Sequence, residues 1–594
     1  MSFMFNPYPY DDTSAVNYPA LPEDVAQAIV VGNDALARML ARPGAVLALD
    51  GHIGAEWAGF LELLGQKLHD QGVQFTAIDL AGCHKTPAEL DAMLADNLPL
   101  DREIDPVLLF GRIFHGAIKS LFDPAKLELL KGRLRAGARE VVCVFGSGAA
   151  LLQDLCDATV YFDVAPLQAT LRVLAGRVKP LGDQPGRGLR HIFRRLYYYD
   201  YEIMARHRQD LIQAGAIDFY VDANQPDRLK ALPAAAFRQT LAALARQPFR
   251  CKPVYIEGVW GGQYIKKLRN LPGDMKNCAW VFDLIPNEVS ILVKVGRATM
   301  EIPYPTFFKA EAEAVMGAES VKRFGRLFPI RFNYDDTYGG DGNMSVQVHP
   351  PAGYAKQHFC EPFQQDESYY VVETGGSRTY LGLRDDADVR ELFEKIRQAE
   401  TAKKPFDYEQ YVNYFESRKG NQFLLPGGTL HASGKNQVVL EIGSCTVGSY
   451  TFKMYDYLRL DLDGNPRPIH SLHGQAVMNQ ACRRGAIDGI LRPQPKTLRE
   501  GPGWREVLLG EHPDIFFSLR RLEFARAIRD DTAGKFHVLV LVEGEEVLVY
   551  SLDDPERFYR QKYCEMVVVP AALGRYGILN LGRAPCKVTK TLLK

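Results

Sequence analysis

Short apolar runs alternate with amphipathic stretches over the first quarter of the chain. VLALD (46–50) is a compact apolar run, EWAGFLELLGQKLHDQG (56–72) carries apolar residues at helical spacing and stops at a glycine, and FTAIDL (75–80) is apolar again. EVVCVFG (140–146) and TVYFDV (159–164) continue the series, each after a helical segment. Strand–helix–strand repetition predicts a parallel, doubly wound α/β sheet, expected to occupy 1–245.

From about 250 the period changes. ILVKVG, MSVQVHP, SYYVVETG, RTYLGL, QFLLPGG and QVVLEIG are short strands punctuated by glycine and proline, as in an antiparallel sandwich or barrel. A helical insertion is predicted at DDADVRELFEKIRQAE (385–400), continuing through FDYEQYVNYFESRKG to about 420. This second domain is expected over 246–470. A polar linker with one helix (GQAVMNQACRRGA) follows, and strands resume at 515–594 as a smaller β-barrel, so the third domain spans 471–594. The two β regions read as a distant internal repeat.

Composition narrows the classes. The chain has 594 residues, 46% hydrophobic and 24% charged, with a formal net charge of −1. That is an ordinary globular balance with no global pull toward nucleic acid or an anionic membrane. No apolar run approaches the ~20 residues a membrane helix needs. The start, MSFMFNPYPYDD, lacks a basic region followed by an apolar stretch, so no signal peptide is expected. The ten cysteines form no CxxC pair and suit a reducing cytoplasm, most of them as small buried side chains.

Candidate chemistry concentrates in the second domain. In MSVQVHPPAGY (344–354), Gln347 and His349 are two apart and share one strand face, and Pro350 and Pro351 end the strand or place it on an edge. Glu367 opens a strand in QQDESYYVV, and His431 follows the turn of LLPGGTLHASG. One Gln, two His and one Glu make a mixed nitrogen and oxygen set, which suits a catalytic zinc better than a structural one.

QVHP, an acidic residue opening a strand, PGGTLHA, VLEIG and TFKMYDY together resemble the class I mannose-6-phosphate isomerases, zinc enzymes on a cupin fold. The resemblance begins at EGVWGGQYIKKL (257–268) and covers about 250–594, which implies a bicupin of two β-barrels or jelly rolls. It implies zinc ligands Gln347, His349, Glu367 and His431, a hexose phosphate as substrate, and proton transfer between C1 and C2 through an enediolate. Where the family carries an arginine, TFKMYDY has Lys453, which keeps the charge but loses the bidentate fork. Lys453 and Glu441 are the candidate catalytic residues. Lys453 has a surface strand-edge reading as its alternative, and Glu441 either faces the pocket or pairs with an arginine. The Arg-to-Lys change leaves open a non-catalytic metal- and sugar-phosphate-binding regulator.

In the first domain ALDGHIGAEWAGFLELL (48–64) sits where a phosphate loop would sit, with Gly51 and Gly54 in place but Glu56-Trp57-Ala58 where Gly-Lys-Ser would follow. The pattern over about 25–225 is similar to uridine-kinase-like P-loop proteins in degenerate form. Phosphoryl transfer is not expected without the lysine, and Glu56 is expected to occupy the helix N-terminus in place of an anion. The basic stretch RGLRHIFRRLYYYDYEIMARHR (187–208) is expected to be a solvated amphipathic helix with its tyrosines inward, or a lid over a phosphate.

Overall fold

The computed structural model describes residues 6–136, 140–184 and 186–594. Residues 1–5, part of the stretch read as no signal peptide, lie outside the described residues.

The first unit is built on a seven-stranded sheet. Its order is Val30–Val31, Lys230–Pro233, Phe219–Asp222, Ala158–Asp163, Val46–Gly51, Val141–Phe145, Phe75–Asp79. The last five are parallel, and Lys230–Pro233 runs antiparallel between Phe219–Asp222 and the edge strand Val30–Val31. Alternation along the central strand covers both faces. Leu47 and Leu49 pack with Phe60, Leu64 and Leu68 of helix Ala58–His69 on one side. Ala48 packs with Leu90, Leu130 and Met204 on the other.

The second unit pairs two antiparallel sheets face to face. A six-stranded sheet runs Gln422–Leu425, Glu367–Thr374, Gln437–Ser444, Ile330–Asp336, Trp280–Leu284, Val254–Ile256. A five-stranded sheet runs Val412–Glu416, Arg378–Leu383, His431–Ser433, Val346–Val348, Phe452–Tyr455. The strand carrying Gln347 is therefore internal, and Pro350 and Pro351 end it. The insertion is helix Val389–Ala402, started by Asp388, whose carboxylate accepts from the backbone N–H groups of Arg390 and Glu391. It stops short of the expected 420. Val412–Glu416 is instead a strand paired with Arg378–Leu383, and its alternating burial is that of a half-covered edge.

The strands of the third unit resume before the expected 515, at Lys496, and form a six-stranded and a four-stranded sheet packed on Leu522, Leu539, Val549 and Ile578. The connection before it holds two short helices, Ser471–Val477 and Arg484–Ile487.

The first two units share a core. The two-residue strand Val16–Asn17 pairs in parallel with Leu292 and Val293 of a three-stranded sheet in the second unit, across the expected boundary at 245. The Thr306 hydroxyl donates to Asp163 at 2.6 Å, and the Glu301 backbone N–H to Asp222 at 2.9 Å. All ten cysteines are free, and no helix among the described residues is long and apolar enough to cross a membrane.

Candidate metal centre

The inner faces of the two sheets of the second unit bring Gln347, His349, Glu367 and His431 together. His349, Glu367 and His431 each offer a donor atom within 4.8 Å of the others, and all three are buried. His349 Nε2 lies 3.1 Å and His431 Nε2 3.4 Å from the two oxygens of Glu367. Gln347, opposite His431 in register, places its amide 3.4 Å from His431 Nε2.

Both imidazoles are oriented from behind. His431 Nδ1 donates to the Thr429 carbonyl at 2.8 Å, and His349 Nδ1 to the Tyr450 carbonyl at 3.1 Å. A carbonyl can only accept, so each ring turns a bare Nε2 inward. Gln365 acts through its neighbours: its amide nitrogen donates to Glu367 Oε1 at 3.3 Å, and its oxygen accepts from the N–H of Tyr450, whose carbonyl holds the His349 ring, at 2.8 Å. His349 Nε2 and Glu367 Oε2 are buried without a well-aligned hydrogen bond. Buried polar atoms left so are costly, and a divalent cation answers both; the donor set fits zinc.

Electrostatics favour this arrangement. Burial pushes the Glu367 carboxyl up; the Arg331 guanidinium at 2.7 Å opposes this, as would positive charge placed at the His349 and His431 Nε2 atoms. Burial pushes His349 down, so its ring is kept neutral. Arg331, absent from the sequence reading, bridges the carboxylates of Glu367 at 2.7 Å and Glu441 at 3.2 Å. Glu441 thus does both things left open for it: it lines the pocket and it pairs with an arginine. Burial and the neighbouring Glu367 and Asp335 push it well above the carboxylate range, and Asp335 rises to about 7. The signal for Arg331 is present in IRFNYDD (330–336), where Arg331, Asn333 and Asp335 alternate on one strand face.

The pocket over the cluster holds about 780 Å³ counting its open mouth. Lys453 lines it beside Gln347, its neighbour in register, and is only 5% exposed, which removes the surface reading. Burial, with Arg467 and Arg459 nearby, pushes its amine down to about 7. Glu288, also missed, forms part of the opposite wall, and its carboxylate accepts from the Tyr197 hydroxyl of the first unit at 2.7 Å.

The first-unit expectations fare differently. Glu56 does not cap its helix, whose N-terminus at Trp57 has no side-chain cap; it pairs with the Arg177 guanidinium at 2.9 Å. Gly51 and Gly54 serve close packing, since a Cβ at Gly51 would meet the Phe162 carbonyl at 2.4 Å and one at Gly54 would meet Val164 at 3.1 Å. In 187–208 the tyrosines at 197–199 are buried as expected, but Arg194, Arg195 and Arg208 are buried too. Arg194 donates to the Phe110 and Pro99 carbonyls and Arg208 pairs with Asp163, so this stretch is neither solvated nor a free lid.

A family described as a domain of unknown function (DUF8485) matches residues 32–246. A Streptococcus mutans serotype c protein named "Mannose-6-phosphate isomerase" is 27% identical over 297 residues, covering 50% of this chain and 84% of that protein. "Probable mannose-6-phosphate isomerase GmuF" of Bacillus subtilis (strain 168) is 30% identical over 276 residues, covering 45% of this chain and 78% of that protein. A solved structure of the mannose 6-phosphate isomerase from Bacillus subtilis is 19% identical, with a TM-score of 0.47, over 58% of this chain and 99% of that one.

Proposed function

The chain belongs to the mannose-6-phosphate isomerase family, and from that premise we propose that it interconverts mannose 6-phosphate and fructose 6-phosphate, using one zinc ion. The observation that carries the reading is the buried His349–Glu367–His431 cluster with its bare Nε2 and carboxylate oxygens. Gln347, His349, Glu367 and His431 would hold the ion, which supplies Lewis-acid stabilisation of the charge that builds on the sugar oxygens. The two facing sheets of the second unit support a cupin reading of 246–470, and the second pair of sheets supports one of 471–594.

The remaining work falls to this chain's own side chains. Isomerisation moves a proton between C1 and C2, so a proton acceptor and a charge-stabilising group must face the sugar. Lys453 Nζ opens into the pocket beside Gln347 and offers a cation to the developing enediolate. The Glu441 carboxyl, fixed by Arg331, can hold a proton at the pocket wall. Arg331 keeps Glu367 and Glu441 apart in role by binding an oxygen of each. Trp260, Trp280 and Phe282 line the pocket and limit water at the reacting carbons. The first unit is read as a scaffold that braces this pocket through Tyr197 and Thr306, without phosphoryl transfer.

A coupled assay on mannose 6-phosphate tests the proposal. Turnover should be lost on chelation and restored by zinc. Zinc bound at one equivalent with no turnover on any hexose phosphate would overturn it.

A further inference from the structure

Beside the metal pocket, where the first and second units meet, lies a second cavity of about 870 Å³ counting its open side. It borders the metal pocket at Asn287, Thr446 and Val447, which line both. Its walls come from both units: Arg206 from helix Tyr201–Ala214, Lys309 from helix Tyr304–Ala310, and Arg326 from the loop before strand Ile330–Asp336.

The charge lining this cavity is only partly compensated. Glu202, 3.5 Å from Arg206, lines it with the three cations, while Asp210 and Glu311 act on Lys309, Arg206 and Arg326 from outside the lining. Glu361 also lines the wall, but it is committed elsewhere. It accepts from the Val447 and Gly448 N–H groups at 2.7 and 3.0 Å and from the Tyr450 hydroxyl at 3.0 Å, and burial pushes it up to about 8. Among the lining residues, three cations therefore meet one ionised carboxylate at neutral pH.

The cations are also prepositioned. Arg206 Nη2 donates to the Phe114 and Gly116 carbonyls at 2.7 and 2.9 Å, and Arg326 Nη1 to the Lys309 carbonyl at 2.7 Å. Arg206 also spends its Nε on the Gly116 carbonyl and is left with Nη1, shared with Glu202, whereas Arg326 keeps its Nε and Nη2 donors. The Lys309 ammonium makes no hydrogen bond or ion pair with any described residue. Burial pushes its amine below the ordinary value, and the neighbouring Arg208 and Arg206 add to this against the pull of Glu202 and Asp210. A half-buried cation held among other cations without a partner is costly unless an anion joins it.

We propose that this cavity binds a phosphate monoester, its phosphoryl oxygens taken by Lys309, Arg206 and Arg326. A phosphate carries nearly two negative charges at neutral pH and three strong acceptor oxygens, which matches three cations less one carboxylate. The phosphoryl group is either that of a sugar phosphate reaching across from the metal pocket or that of a separate phosphorylated ligand. Only the choice of mannose 6-phosphate as a probe rests on the family reading.

Calorimetric titration of the full-length protein with inorganic phosphate tests the site. Saturable binding at one equivalent is expected, weakened roughly tenfold or more in Lys309→Met, with circular dichroism and zinc content unchanged. If Lys309→Met misfolds, Arg326→Gln serves in its place with the same expected loss. Mannose 6-phosphate separates the sources. A raised KM with unchanged kcat in Lys309→Met assigns the phosphoryl group to the substrate, and an unchanged KM with lost phosphate binding assigns it to a separate ligand. No saturable binding at millimolar phosphate would overturn the site, as would binding that Lys309→Met leaves intact and Lys453→Met abolishes. A chain that binds phosphate through Lys309 but turns over no hexose phosphate would keep this site and discard the isomerase reading.

Discussion

Replacing Glu288 with Gln tests how the first unit braces the pocket. Glu288 is held by the Tyr197 hydroxyl at 2.7 Å, and burial pushes its carboxyl up to about 8 against that hydrogen bond. Unfolded, the group would titrate near the ordinary glutamate value of about 4.3. Between these limits the folded chain keeps a proton that the unfolded chain releases. Stability contributed by the protonated group is therefore full at low pH and is lost as the pH rises to about 8. Each pH unit of that window is worth about 1.4 kcal/mol. Because Glu288 borders an open pocket, solvent trims this, and a difference of roughly 2–3 kcal/mol is expected by the upper end of the window. Glu288→Gln keeps an acceptor for Tyr197 and cannot ionise. Thermal midpoints of the two proteins should nearly coincide close to pH 5 and separate in favour of the variant toward pH 8.5. For an unfolding unit of 150–250 residues the gap should reach about 4–12 °C. A gap that stays constant with pH, or a variant less stable at the alkaline end, would refute the reasoning.

Three further outcomes follow from the site and the interface. Gln365→Ala should weaken zinc affinity roughly 10–100-fold in competition with a chelating dye, because it frees Glu367 and the Tyr450 segment behind His349 without removing a ligand. Lys453→Met should lower kcat/KM on mannose 6-phosphate about 10²–10³-fold with bound zinc unchanged; loss of zinc in parallel would show that Lys453 serves the metal site instead. Thr306→Val removes a hydroxyl bonded to the Asp163 carboxylate and should cost about 1.5–3 kcal/mol in urea unfolding of the first two units; no change would mean that this contact does not couple them.

What the sequence makes legible has a physical pattern. Gln347, His349 and His431 stand out because proline or glycine marks the strand ends beside them, and Glu367 because it opens a strand, so each face can be read locally. The same period-2 reading applied to IRFNYDD places Arg331 and Asp335 on one face as well. Glu56 reads as a cap because a carboxylate near a helix start normally is one, whereas its partner Arg177 comes from a distant part of the chain. The arginines of 187–208 look solvated because their acceptors are backbone carbonyls at residues such as Pro99 and Phe110, which side-chain patterns do not reveal. Val412–Glu416 reads as helix because it follows a helical run, and only its pairing with Arg378–Leu383 fixes it as a strand. The strand Val16–Asn17 is two residues long, too short for any periodicity to show.

The central claim is that four side chains from three strands meet on one divalent cation. An anomalous difference map collected at the zinc edge from a crystal of the zinc-loaded protein addresses it directly. The expected result is a single strong peak about 2.0–2.2 Å from His349 Nε2, His431 Nε2, a Glu367 oxygen and the Gln347 amide oxygen. No peak among these residues, or a peak bound elsewhere while they keep their present contacts, would contradict the account.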